Sequence, residues 1–181
     1  MVYLFLANGF EEIEALCPLD LLRRAGVEVK TVGIGSKTIV GSHSIAVNCD
    51  ITDKELDLKS DFDMIILPGG LPGATNLDNS HVVDHFISRA VKEDKYICAI
   101  CAAPFILGKR GILKGKDACC YPGFEEQLTG ASVKEQGVVK DGKIITSRAM
   151  GKAYDFSLEI IDVLCGKEMK EKLRKGVLYT C

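Results

Sequence analysis

Eight cysteines, at positions 17, 49, 98, 101, 119, 120, 165 and 181, are the first chemistry this sequence offers. As a thiolate, cysteine is a nucleophile, an oxidation target and a metal ligand. Most of the eight sit in apolar runs such as Ile97-Cys98-Ala99 and Val163-Leu164-Cys165, where a reduced thiol packs as a small hydrophobe. Cys101 differs. It follows the apolar run Tyr96–Ile100 and precedes Ala102-Ala103-Pro104, and proline is tolerated in the first turn of a helix. This spacing puts Cys101 at a strand-to-helix turn. There the helix dipole and free N–H groups favour a low-pKa thiolate, and a sharp elbow exposes the side chain.

The neighbouring cysteines suggest no second chemistry. Cys98 and Cys101 form a C-x-x-C, but Cys98 lies within the strand, so the two sulfurs point to opposite faces rather than sharing a helical turn. Cys119-Cys120 is not a second C-x-x-C, and no His lies downstream of Cys101, so a zinc site is not expected. His81 and His85 are four apart on a helix with an ordinary polar face. His43 falls on a small hairpin, solvated or close to a site.

Two further loops could serve Cys101. Pro68-Gly69-Gly70 follows an apolar strand, and its unhindered backbone N–H groups, with that of Ala102, could form an oxyanion hole. Gly69–Gly73 does not match G-x-G-x-x-G, so a dinucleotide cofactor is not expected. Glu11, Glu12 and Glu14 open the first helix. Acidic residues favour that position, which accounts for Glu11 and Glu12. Glu14 is crowded by Ile13, Ala15, Leu16 and Cys17, so burial should raise its pKa and suit it to acid–base work beside a thiolate.

The elements that must position these loops alternate between strand and helix. Val2–Ala7, Val27–Ile34, Asp63–Leu67 and Tyr96–Ile100 read as strands. Glu12–Ala25, Ser80–Lys92, Ala102–Lys109, Tyr154–Cys165 and Lys167–Lys175 read as helices, with Asn79 or Ser80 as the N-cap of the second. Ile39–Val40 with Ser44–Val47 suggests a small hairpin, and Asp141-Gly142 is a two-residue hairpin turn. The alternation implies a doubly wound α/β fold, with a mostly parallel sheet and helices on both faces. Ligands of such sheets bind beyond the carboxyl ends of the strands, where Asn8–Glu14, Pro68–Ala74 and Cys101–Pro104 lie.

At 181 residues, 47% of them hydrophobic, the chain suits one domain spanning 1–181. Its net charge of −2 gives no basic footprint for nucleic acid. Val2–Ala7 is too short for a membrane span and lacks the basic flank of a signal segment, so a cytoplasmic protein is expected.

Taken together, Gly9-Phe10-Glu11-Glu12-Ile13-Glu14, Leu22-Arg23-Arg24-Ala25-Gly26, Leu67-Pro68-Gly69-Gly70, Ala99-Ile100-Cys101-Ala102-Ala103-Pro104 and Thr146-Ser147-Arg148 with Gly151 resemble the ThiJ/PfpI superfamily. The match is to the branch of the Parkinsonism-associated deglycase and its bacterial relatives, and it covers essentially the whole chain. The resemblance implies a flavodoxin-like fold and a homodimer with the site near the interface. It implies Cys101 as nucleophile, Glu14 as partner carboxyl, and Gly70 and Ala102 as oxyanion donors, with no cofactor. Relatives are described as glyoxalases, deglycases, and oxidative-stress sensors or chaperones. Three departures matter. Ala102 stands where the proteolytic members carry His, which argues against a peptidase. Tyr121, in Cys120-Tyr121-Pro122, stands where the deglycase branch often has His. His43 corresponds loosely to an Arg that in some relatives approaches from the partner subunit. The expected function is a cofactor-independent cysteine enzyme of small reactive carbonyls. The alternative is an oxidation sensor or chaperone with little turnover.

Overall fold

Apolar runs of four or five residues build the centre of the molecule, which a computed structural model describes from residue 1 to 180. The strands are β1 (Val2–Leu6), β2 (Val29–Gly33), β3 (Thr38–Val40), β4 (Ala46–Asn48), β5 (Ile51–Thr52), β6 (Met64–Leu67), β7 (Tyr96–Ile100), β8 (Asp117–Ala118), β9 (Ser132–Val133), β10 (Val138–Asp141) and β11 (Ile144–Ser147). Seven of them form one sheet in the order β10-β11-β7-β6-β1-β2-β5. Every pairing in it is parallel except the β10–β11 hairpin, which turns at Gly142. β3 and β4 make the separate antiparallel hairpin, Ile39 opposite Val47.

Burial on both faces explains why β1 and β6 are apolar throughout. Alternate residues feed two cores. Val2, Leu4 and Leu6 of β1, with Cys98 and Ile100 of β7, meet α1 (Glu12–Arg24), α5 (Ala153–Cys165) and α6 (Lys167–Gly176). Tyr3 and Phe5, with Ile97 and Ala99, meet α2 (Gly73–Asp78), α3 (His81–Lys92) and α4 (Pro104–Lys109). Phe86 of α3 anchors the second core, its ring 5.2–5.6 Å from those of Tyr3, Phe5 and Phe62. Ser80 caps α3 by accepting from the Val83 N–H. Among the described residues, no helix is long and apolar enough to cross a membrane.

The architecture matches the doubly wound expectation, and the differences are local. The helix expected from Ala102 starts at Pro104, because residues 101–103 form a turn of their own. α2 and the two-residue strands β5, β8 and β9 were not expected, being too short to show a period. Cys181 lies outside the described residues.

Because Phe86 is fully buried among three other rings, Phe86→Ala should lower the free energy of unfolding by about 3–5 kcal/mol. Urea denaturation checks this. A loss close to zero would show that Phe86 does not anchor this core.

Candidate active site

Glu14 reaches the centre of the molecule because the chain enters α1 through a cap. Glu11, in extended conformation at the N-cap, accepts a hydrogen bond from the Glu14 N–H at 2.7 Å. This leaves the Glu14 side chain in the first helical turn, only 1% exposed. Its carboxylate accepts from the Gly69 N–H at 3.0 Å and from the Met150 N–H. It is also hydrogen-bonded to the Cys101 thiol.

Cys101 sits on an elbow. Its φ of 65° is left-handed, a region that side-chain-bearing residues rarely adopt. Two main-chain bonds hold it there. Its N–H donates to the Ser147 carbonyl at 2.8 Å, and its own carbonyl accepts from the Tyr121 N–H at 2.8 Å. The N–H groups of Gly70 and Ala102 point at its sulfur. Gly69 is required by close approach, since a Cβ there would lie 2.6 Å from Glu14 Oε2 and 2.7 Å from Cys101 Cβ. Gly70 is required by its φ of +83° and by the backbone of Phe10 and Glu11 beside it.

Burial pushes the Glu14 carboxyl up to about 7. Burial, together with the ionised Glu14, pushes the Cys101 thiol up to about 12. This corrects the expectation of a low-pKa thiolate maintained by a helix terminus. α4 begins three residues further on, and the two N–H groups at the sulfur do not outweigh desolvation. As pH rises above about 7 the two groups instead come to hold one proton between them. When that proton sits on Glu14, the charge that raises the thiol is gone and the carboxyl O–H can donate to the sulfur. A thiolate here exists by proton transfer inside the pair.

Of the residues singled out from the sequence, Cys101, Glu14, Gly69, Gly70 and Ala102 come together. Tyr121 joins them through its main chain. Its side chain is 46% exposed, and its hydroxyl has no hydrogen bond to the described residues. His43 does not reach the sulfur. Its side chain is 70% exposed, with Nδ1 2.8 Å from Glu12 Oε2. Glu12 is therefore not a solvated helix-start acid. It is 2% exposed and also accepts from the His43 N–H at 2.7 Å, tying the hairpin loop to α1. Glu11, Glu12 and His43 bring possible metal-ligand atoms within 4.8 Å of one another, but these atoms are already engaged in the cap and in this tie. Met150, Ser147 and the cap role of Glu11 were missed. The first two act through main-chain groups, which carry no residue-type signal, although Thr146-Ser147-Arg148 and Gly151 flank them.

A doubly wound α/β domain with a cysteine on a strained elbow and a buried carboxyl bonded to it defines a cysteine–carboxyl site at the carboxyl edge of a parallel sheet. The chain belongs to the DJ-1/PfpI family, whose profile matches residues 1–163. It is 38% identical over 176 residues to protein dj-1beta of Drosophila melanogaster, covering 96% of this chain and 94% of that protein. The crystal structure of that fly protein superposes with a TM-score of 0.94 at 36% identity, over 99% of this chain and 98% of the other. The glutathione-independent glyoxalase DJR-1.2 of Caenorhabditis elegans is 32% identical over 91% of this chain and 88% of its own length. A deglycase of Pyrococcus abyssi is 31% identical over 90% of this chain and 98% of its own length.

Since the pair loses its first proton as Glu14 titrates, alkylation of Cys101 by iodoacetamide should accelerate as pH rises through about 7. Below that pH both groups are protonated and the sulfur is a neutral thiol. Glu14→Gln removes the partner titration, so the limb near neutrality should vanish. Peptide mass spectrometry across pH 5–9 (a range of about four units around the Glu14 value) reads this. An unchanged profile in Glu14→Gln would mean that the two groups do not share a proton.

Proposed function

We propose that this protein is a cofactor-independent cysteine enzyme that converts small dicarbonyls such as methylglyoxal and glyoxal to hydroxy acids. The observation that carries the reading is the Glu14 carboxyl, tuned to about 7 and hydrogen-bonded to Cys101 on its elbow. A carboxyl with that pKa can both take and give a proton at neutral pH. The names of the worm glyoxalase and the archaeal deglycase support the same reaction class.

The cycle begins with transfer of the thiol proton to Glu14. The sulfur forms a bond to the aldehyde carbon, and the carbonyl electrons move to oxygen. The N–H groups of Gly70 and Ala102, beside the sulfur, stabilise that oxyanion, and Glu14 returns its proton to give the hemithioacetal. Glu14 then removes the hydrogen from the former aldehyde carbon as a proton. The electron pair passes through an enediol to the neighbouring ketone carbon, which is protonated. One carbon is oxidised and its neighbour reduced, so no external oxidant or reductant enters. The product is a thioester on Cys101, which water cleaves to lactate and the free thiol. Deglycation would be the same attack on the aldehyde after an aminocarbinol or hemithioacetal adduct has reverted to the free amine or thiol and the dicarbonyl. A peptidase is disfavoured, because buried Ala102 follows the nucleophile and supplies no acid for a leaving amine.

A second reading, an oxidation sensor, is favoured by the donors around the sulfur. Gly70 N–H, Ala102 N–H and a protonated Glu14 could each bond a sulfinate oxygen. The protein is also proposed to be a cytoplasmic homodimer. Support comes from the seven described cysteines, all free thiols, and from exposed Ile13, Val40 and Ile45 on the neighbouring α1 and hairpin loop.

With methylglyoxal as substrate, Cys101→Ala should abolish lactate formation and Glu14→Gln should lower kcat by about 1,000-fold or more. Circular dichroism confirms the fold in each variant. Lactate production that survives Cys101→Ala would sink the enzyme reading. After mild peroxide treatment, mass spectrometry should find added oxygen on the Cys101 peptide first. Oxidation spread evenly over the cysteines would remove the sensor.

A further inference from the structure

A cavity of about 690 Å³ lies at the opposite end of the sheet from Cys101. β7 links the two. Ile97 near its amino end lines the cavity and Cys101 follows its carboxyl end, ~13 Å away along an extended strand. Substrates of parallel sheets bind at carboxyl ends, so this space is not explained by the chemistry of the cysteine.

Four chain segments build it: the end of α3, the turn into β7, the segment after α4 and the β10–β11 turn. They are bonded to one another. The Lys95 N–H donates to the Ala90 carbonyl at 2.9 Å, the Ile97 N–H to the Lys143 carbonyl at 2.9 Å, and the Asp117 N–H to Asp141 Oδ2 at 2.9 Å. The space is therefore preformed, and its size suits a small organic ligand.

Its lining has two characters. The floor is aliphatic, with Ala90, Ile97 and Ile144 buried and Val91 and Ile112 at the mouth. The rim carries three ammonium groups, Lys95, Lys116 and Lys143, against the one carboxylate of Asp94. Lys95 donates a hydrogen bond to Asp61 at 3.2 Å, whereas Asp141 and Asp94 stand beyond hydrogen-bond distance from Lys116 and Lys143, at 3.6 Å and 3.8 Å. Asp61 and Asp94 are themselves more than four-fifths exposed. Exposed pairs of this kind bind weakly and exchange readily for a better anion.

We propose that this cavity is a binding site for a small amphipathic anion, an aromatic or branched aliphatic body carrying one carboxylate or sulfonate. The body displaces water from the isoleucine floor and the head sits between Lys116 and Lys143. A neutral apolar molecule would gain only the floor, and a polyanion would leave the floor wet.

Fluorescence titration with anilinonaphthalene sulfonate tests this on the intact chain, with neutral phenylnaphthylamine as the comparison. The sulfonate should saturate a single site per chain. The double variant Lys116→Glu/Lys143→Glu should weaken the sulfonate by about tenfold or more, while the neutral dye changes by less than about twofold. Val91→Trp, at an exposed position on the mouth, should weaken both dyes. Cys101→Ala should weaken neither. Thermal melts serve as folding controls for each variant, and Cys101 alkylation rates for those that keep the cysteine. Sulfonate affinity unchanged in the lysine variant would overturn the proposal. So would parallel loss of both dyes in that variant, since the cavity would then have no preference for an anion. Loss of binding in Cys101→Ala would place the dye at the other end of the sheet and overturn it as well.

Discussion

One proton shared by a buried carboxyl and a half-buried thiol is the constraint on which this site depends. Cys101 and Glu14 are hydrogen-bonded in a place where a second negative charge would be heavily penalised. Each therefore sets the ionisation of the other, and the pair titrates as a unit. That coupling makes demands on the chain around it. Gly69 must lack a side chain, since any Cβ would separate the pair. Glu11 must cap α1 so that Glu14 points inward. Cys101 must stay in a left-handed conformation, which the carbonyl of Ser147 and the N–H of Tyr121 enforce from two different segments.

The sheet makes these demands compatible. β6 and β7 are neighbours in parallel register, Leu67 beside Ala99, so the loops that follow them leave the sheet side by side. This brings the Gly69 and Gly70 amides to the cysteine. β1 lies on the other side of β6, and the loop after it delivers the start of α1 to the same edge. The buried face of α1 then packs with α5 against the sheet. The Glu12–His43 tie adds an anchor from the β3–β4 hairpin. The position of Glu14 thus rests on one strand, one helix cap and one side-chain clamp.

The elements were legible where burial writes a period into the chain. β1, β6, β7 and the long helices have apolar runs or helical spacing, and their limits fall within two residues of expectation. Cys101 and Glu14 were legible because each breaks a local rule: a cysteine before a helix-starting proline, and an acid among aliphatic neighbours. What was hidden depends on three-dimensional balance. The charge state of Cys101 is set by desolvation against two amide donors and one carboxylate, a sum that no local pattern displays. Glu12 looked like an ordinary helix-start acid, because its burial comes from a hairpin some thirty residues away. Met150 and Ser147 contribute through main-chain atoms, so their side chains gave no sign.

The absence of a histidine beside the nucleophile shapes what the pair can do. Cleaving an amide requires that the group which takes the thiol proton can then reach and protonate a departing amine on the far side of the tetrahedral carbon. Glu14 is a single group on one side of the sulfur, and its pKa near neutrality lets it exchange a proton repeatedly at little cost in driving force. Moving a proton between adjacent atoms of a small hemithioacetal requires that and nothing more. The reacting carbons lie one and two bonds from the sulfur, within the reach of one carboxyl, and no leaving group has to be expelled until water arrives. The proposed reaction of small carbonyls therefore suits the site, because the proton to be moved stays within reach of Glu14.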